Sequence, residues 1–145
     1  MKVKILSLMG YLLMLSGIGA LIITNTIISS FIPSIVIQGM AFVLMLWARN
    51  TLGMRSFHLT ANPSQGNLVT TGPYKLIRHP IYAAVCLFVW ASVLAAPSLR
   101  TALFSTVVTV GAILRIICEE RSLLESYPEY GRYSCQTKRM IPFVF

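Results

Sequence analysis

Four apolar runs separated by short polar breaks set the pattern of this chain. The first follows Lys2 and Lys4, begins at Ile5, reaches Ile23 and reads on through Ile28. The second covers 35–52, after a turn marked by Pro33 and Ser34, with Trp47 and Arg49 near its end. Trp47 suits a membrane interface, where an indole keeps one wet edge. The third, 80–96, opens on Pro80, which fits a first helical turn because its missing N–H has no partner there anyway. Ala96-Pro97-Ser98-Leu99-Arg100 is a tight turn into the fourth run, 101–117. Crossing the hydrocarbon core takes about 20 residues, so each run is expected to be a transmembrane helix, the last two at the short end. The positive start of the first run imitates a signal peptide, but the run is too long and further spans follow. Between the second and third runs, Arg55, Phe57, His58 and the Pro, Gly and Asn cluster of 62–67 read as a loop, with His58 solvated. Beyond 117 the segment 118–145 is a polar, helical tail broken near Pro128. The expectation is an all-α, polytopic membrane protein: one domain over 1–145 with about four transmembrane helices.

Composition agrees. Only 11% of residues are charged and 56% are hydrophobic, whereas a soluble domain carries roughly a quarter charged residues. The net charge of +8 does not point to nucleic acid, because the basic residues gather at the ends of apolar runs and form no stripe with interleaved aromatics. With four spans the termini share one side. Lys2, Lys4, Arg49, Arg55, Lys75, Arg78, Arg115, Arg121, Arg132, Lys138 and Arg139 fall there, and of the 12 basic residues only Arg100 falls opposite. The positive-inside rule then places the termini and the loop before the third span in the cytoplasm. Cys86, Cys118 and Cys135 have no metal-ligand spacing, and Cys86 reads as a small buried hydrophobe; neither disulfide nor metal site is expected. Gly10, Ser16, Gly17 and Ala20 would let a second helix approach the first closely.

Two polar knots interrupt this hydrocarbon. The first is Leu68–Tyr82, LVTTGPYKLIRHPIY. Ionisable groups at the hydrocarbon edge are costly unless paired or lining a wet cavity. Lys75 reads as a headgroup anchor, but an anchor needs neither a histidine nor a fixed proline, so Arg78, His79 and Pro80 become candidates. The second knot is Arg115 with Glu119 and Glu120. Spacing of i,i+4 puts Arg115 and Glu119 on one helix face, and Glu120 points about 100° away. That face is either an interfacial salt bridge or a receptor for a zwitterion, with Glu119 accepting from an ammonium or hydroxyl and Arg115 holding a carboxylate. The helix start at His79-Pro80-Ile81 adds free N–H groups suited to an anion. GxGxxG, P-loop, HExxH and GxSxG motifs are missing from the sequence, and the residues alone do not name the ligand.

LVTTGPYKLIRHPIY, followed by Glu119-Glu120, Tyr130, Tyr133, Arg139 and Ile141-Pro142 in that order, resembles the isoprenylcysteine carboxyl methyltransferase family and the related phospholipid methyltransferases. The likeness covers about the C-terminal 80 residues. It implies an integral membrane enzyme that transfers a methyl group from S-adenosylmethionine to a lipidic or prenylated acceptor, most readily a carboxylate, and releases S-adenosylhomocysteine. The implied site is cytoplasmic and includes the loop 62–79. Leu68 and Val69 would meet the cofactor through their backbone, and Tyr74, His79 and Tyr82 would line its pocket. Pro80 and Ile81 would supply the helix start, and Glu119 would hold a polar group of the cofactor. Arg115 matches a family arginine that binds a substrate carboxylate, and Arg78 one that positions the acceptor; Glu120 or His79 would serve as base for a thiol or amine. The tail is expected to close over the site, and no obligatory protein partner is implied. Ala83-Ala84 stands where members often carry a glycine, and the eukaryotic carboxyl methyltransferases have more spans, so isoprenylcysteine itself is not implied. Two other readings stay open. One is an NADPH-dependent reductase of the sterol-reductase type, which the lack of an extra basic cluster for a 2′-phosphate disfavours. The other is a non-enzymatic membrane subunit whose polar knots only cap helices.

Overall fold

Ser7, Gly10, Met14, Gly17 and Leu21, alternating in steps of three and four, are the buried positions of α1 (Lys2–Ile23). They face α4 (Leu99–Ser126) in a seam where the two backbones nearly touch. A Cβ on Gly10 would lie 2.8 Å from the Gly111 carbonyl oxygen, and one on Gly111 would lie 2.6 Å from that of Gly10. A Cβ on Gly17 would come within 2.9 Å of the Phe104 carbonyl. Lipid tails give apolar helices no hydrophobic reason to associate, so close van der Waals packing of this kind holds them together. Of the four small residues expected to serve an approach, Gly10 and Gly17 lie on the seam. Ser16 instead faces outward, and its hydroxyl donates to the Leu13 carbonyl at 2.9 Å. Gly111→Ala is expected to destabilise the fold by about 1–3 kcal/mol, as overpacking does. A thermal unfolding midpoint in detergent equal to that of the unsubstituted protein would contradict the close approach.

The structure, a computed structural model, describes residues 2–28, 30–53 and 67–141. The expected loop features at Arg55, Phe57, His58 and 62–66, and Pro142, lie outside the described residues. α1 stops at Ile23 instead of running to Ile28. Asn25 takes a left-handed φ of 53°, the Asn25 N–H donates to Ile22 O at 2.9 Å, and the Thr26 N–H reaches back to Leu21 O at 3.0 Å. That pattern closes a helix end by satisfying carbonyls the helix would leave open. α2 (Ile32–Leu52) starts three residues before the expected 35, because Pro33 sits inside its first turn and does not precede it. α3 (Pro80–Ala95) has 16 residues. α4 has 28 residues, joining the apolar run that ends at 117 to the polar helical stretch after it. Hydropathy falls at Glu119, but residues 118–126 contain neither proline nor glycine, so the helix continues until the break at Tyr127-Pro128. A seven-residue helix, α5 (Tyr130–Gln136), begins the tail.

The principal packing runs α1 on α4, α4 on α3, and α3 on α2. Met14, Leu21, Cys86, Val89, Val108 and Ala112 form the core between α1, α3 and α4. Leu12, Val36, Met40 and Leu103 are among the large apolar side chains facing outward. Val3–Ile23, α2 and α4 are long and apolar enough to cross a membrane; α3 is apolar but shorter, about 24 Å at 1.5 Å per residue, against a core of about 30 Å. The protein is thus an all-α polytopic membrane protein. Inside the bundle, Gln38 Nε2 donates to Ile27 O at 2.8 Å and Ser92 Oγ donates to the same oxygen at 2.8 Å. Both side chains satisfy the Ile27 carbonyl, which no helix ladder uses, and so pin the α1–α2 connection onto α3.

Antiparallel packing of α1 and α3 on α4 gathers the start of α1, the start of α3 and the end of α4 at one end. The end of α2 joins them through a 3-10 turn, Gly72–Lys75. Gly72 has φ 57°, and a Cβ there would sit 2.7 Å from Thr51 Oγ1, so glycine is required on both counts. The tail returns to the same end. The Arg78 N–H donates to Lys138 O at 2.8 Å and the His79 N–H to Arg139 O at 2.9 Å, a short parallel pairing in a chain with no strand among the described residues.

Candidate functional site

Arg115 is 4% exposed on α4, and its charge has to be met within the protein. Its Nε donates to the Tyr82 hydroxyl at 2.7 Å and its Nη2 to Glu119 Oε1 at 3.0 Å. The Tyr82 hydroxyl in turn donates to the same Glu119 oxygen. Tyr82, in the first turn of α3, thus closes a triangle with the i,i+4 pair that the sequence placed on one face. Two rings lie near Arg115, its guanidinium carbon 5.3 Å from the Tyr11 centroid and 5.9 Å from that of Tyr82.

His79 caps α3 and is buried. Its Nδ1 lies 3.8 Å from Glu119 Oε2 and its Nε2 lies 3.4 Å from Glu120 Oε1, without hydrogen-bond geometry; Nε2 is a buried nitrogen that makes no hydrogen bond among the described residues. His79 therefore stands between the two carboxylates. Pro80 is buried beneath it and Ile81 half-buried; the N–H groups of Ile81 and Tyr82 precede the first acceptor of the helix.

Glu120, on the neighbouring face, binds the loop and the tail together. Its Oε1 accepts from Arg78 Nε at 2.9 Å and its Oε2 from Arg139 Nε at 2.9 Å. Arg78 extends the junction, its Nη1 donating to Ser134 O at 2.7 Å and also to Thr137 O. Charge-assisted bonds of this kind are the strong ones. Tyr133 adds a bond to the Tyr74 carbonyl at 2.6 Å. Burial pushes the Tyr133 hydroxyl up to about 12. It pushes Tyr74 and Tyr130 higher still, with Glu119 adding for the first and Glu120 for the second. All three phenols therefore remain protonated donors at neutral pH. The hydrogen bond that Arg139 donates to Glu120 raises the guanidinium above its ordinary value.

The structure brings Arg78, His79, Tyr82, Arg115, Glu119 and Glu120 into one network, with Tyr74 tied to it through Tyr133. Leu68 and Val69 lie half-buried in the irregular stretch 67–71 before the 3-10 turn, and their apolar side chains leave only backbone to meet a ligand. Three contributors were not among the residues singled out. Tyr11 offers no motif, being a lone tyrosine in an apolar run. Thr137 and Ser134 act through backbone carbonyls, which carry no residue signature.

Glu119 is the most reachable charged side chain of the inner network, 24% exposed against 5% for Arg115 and His79 and 12% for Glu120. A ligand with an ammonium or hydroxyl could meet it without breaking the Arg78–Glu120 junction. The sequence model of the phospholipid methyltransferase family matches residues 29–130, more than two thirds of the chain. No curated protein and no solved structure matches the chain.

Proposed function

Since the chain belongs to the phospholipid methyltransferase family, we propose that it transfers a methyl group from S-adenosylmethionine to a lipidic or prenylated acceptor at the cytoplasmic membrane face. The observation that carries this reading is the convergence of Tyr82 and Arg115, from two helices, on the reachable Glu119 carboxylate, beside a histidine nitrogen that makes no hydrogen bond among the described residues. The donor set fits a zwitterionic cofactor. Glu119 would hold an ammonium or ribose hydroxyl, Tyr74, His79 and Tyr82 would line the site, and the Ile81 and Tyr82 N–H groups would face an anion at the start of α3. The backbone of Leu68 and Val69 would complete it. Bound there, the cofactor would supply a sulfonium methyl group for in-line displacement, leaving S-adenosylhomocysteine.

The chain itself would contribute alignment, which can lower such a barrier by about 7–11 kcal/mol, and exclusion of water by the apolar cluster that Tyr82 packs against. A carboxylate acceptor is already a nucleophile and needs only orienting, by Arg115 from α4 and Arg78 from the loop. A thiol or amine would need a base. His79 Nε2, which makes no hydrogen bond among the described residues, supports His79 in that task over Glu120, both of whose oxygens already accept from arginines. The basic residues gathered at this end support a cytoplasmic placement.

Calorimetric titration of the detergent-purified protein with S-adenosylhomocysteine, and separately with NADPH, tests the proposal. Binding of the first and not the second is expected. NADPH binding alone would move the protein to the reductases, and a folded sample that binds neither would leave the polar knots as helix caps.

A further inference from the structure

We propose that Tyr11 is a positioning residue for this reaction. Its ring face holds the Arg115 guanidinium, and Arg115 in turn aims Tyr82 and Glu119. The inference rests on the methyltransferase reading of the site.

Several observations converge on Tyr11. α1 lies wholly before the residues matched to the family, 29–130, yet it reaches the centre of the site through two consecutive residues. Gly10 leaves room for the arginine stem, since a Cβ there would lie 3.0 Å from Arg115 Cγ. Tyr11 then puts its ring 5.3 Å from the guanidinium carbon, within the about 6 Å over which a cation is drawn to an aromatic face. Tyr82 meets the same guanidinium through its hydroxyl edge, its ring centroid 5.9 Å away. The two donor bonds, to Tyr82 at 2.7 Å and Glu119 at 3.0 Å, keep their directions while the Tyr11 ring holds the plane.

A buried arginine near the hydrocarbon is stabilised by a quadrupole facing it, which an aliphatic side chain does not have. Tyr11 is half-buried on α1, and the group its ring faces is the Arg115 guanidinium. Without the ring, the Arg115 side chain gains freedom to turn, and both site residues lose the donor that orients them.

The test is a titration with S-adenosylhomocysteine of the full chain and of Tyr11→Phe, Tyr11→Leu and Tyr11→Met. Phenylalanine keeps the ring face, while leucine and methionine keep an apolar side chain without it. Affinity within about twofold for Tyr11→Phe and weaker by about tenfold for the other two is expected from a desolvated cation–π contact. A thermal unfolding cycle pairing Tyr11→Leu with Arg115→Gln supplies a readout that needs no ligand. The penalty of Tyr11→Leu should largely vanish once the charge at 115 is gone. Equal affinity for all three substitutions, or an equal unfolding penalty with and without the Arg115 charge, would reduce Tyr11 to packing and overturn the inference alone. A folded, unsubstituted protein that does not bind S-adenosylhomocysteine would overturn the functional reading and this inference together.

Discussion

Arg78→Ala should cost about 3 kcal/mol of stability and release the tail from the loop. Removing one partner of a buried ion pair costs about 3–5 kcal/mol, and the lower figure applies because Arg139 still meets Glu120. The side chains of Arg78 and Glu120 are 10% and 12% exposed, so water replaces little of what is lost. The same substitution orphans the Ser134 and Thr137 carbonyls. For a chain of this size about 3 kcal/mol corresponds to a midpoint lower by roughly 6–12 °C. Faster amide exchange is also expected at Arg78 and His79, whose N–H groups pair with the tail. Arg78→Lys should recover only part of the loss, since an ammonium lacks the planar fork that serves carboxylate and carbonyls together. A midpoint and exchange pattern unchanged in Arg78→Ala would show that the loop and tail are held by the backbone pairing alone.

Glu119→Gln is the corresponding test of the proposed binding face. It removes a charge but keeps a carbonyl able to accept from Arg115 and Tyr82, so the fold is expected to persist. Hydrogen bonds to charged groups contribute about 1.5–3 kcal/mol, which converts to roughly 10- to 150-fold weaker binding of S-adenosylhomocysteine at about 1.4 kcal/mol per factor of ten. Glu125→Gln, an exposed carboxylate further along α4, is the control and should bind as the unsubstituted protein does. If Glu119→Gln also binds normally, the Arg115–Glu119 pair is a structural bridge and the ligand sits elsewhere.

Much of the site was legible in the sequence because its signals are local. Arg115 and Glu119 share a helix, so i,i+4 spacing alone predicts their contact. His79-Pro80 reads as a helix start whatever packs around it. Helix extents were less legible, since hydropathy marks where the surroundings change and a helix ends only where the backbone is stopped. The apolar run ending at 117 and the helical start of the tail are one helix, α4, and α1 ends at Ile23, just before Asn25, a short polar residue that adopts the left-handed turn. The tail's closeness to the loop was an expectation from resemblance; the pairing of Arg78 and His79 with Lys138 and Arg139 came from the structure.

By itself, then, the sequence determined an all-α membrane chain, the order of its apolar helices, and two polar knots at the ends of two of them. Each follows from properties of residues within a turn or a span of one another. Only the tertiary structure decided what joins the knots: Tyr82 to Arg115 across 33 residues and Arg78 to Ser134 across 56, and Tyr11 to Arg115 from a helix outside the family match. Such contacts depend on which faces of which helices meet. In lipid that choice is made by close packing, here Gly10 and Gly17 of α1 and Gly111 of α4, and by satisfaction of buried polar groups. Neither leaves a periodic trace from which a partner residue can be read.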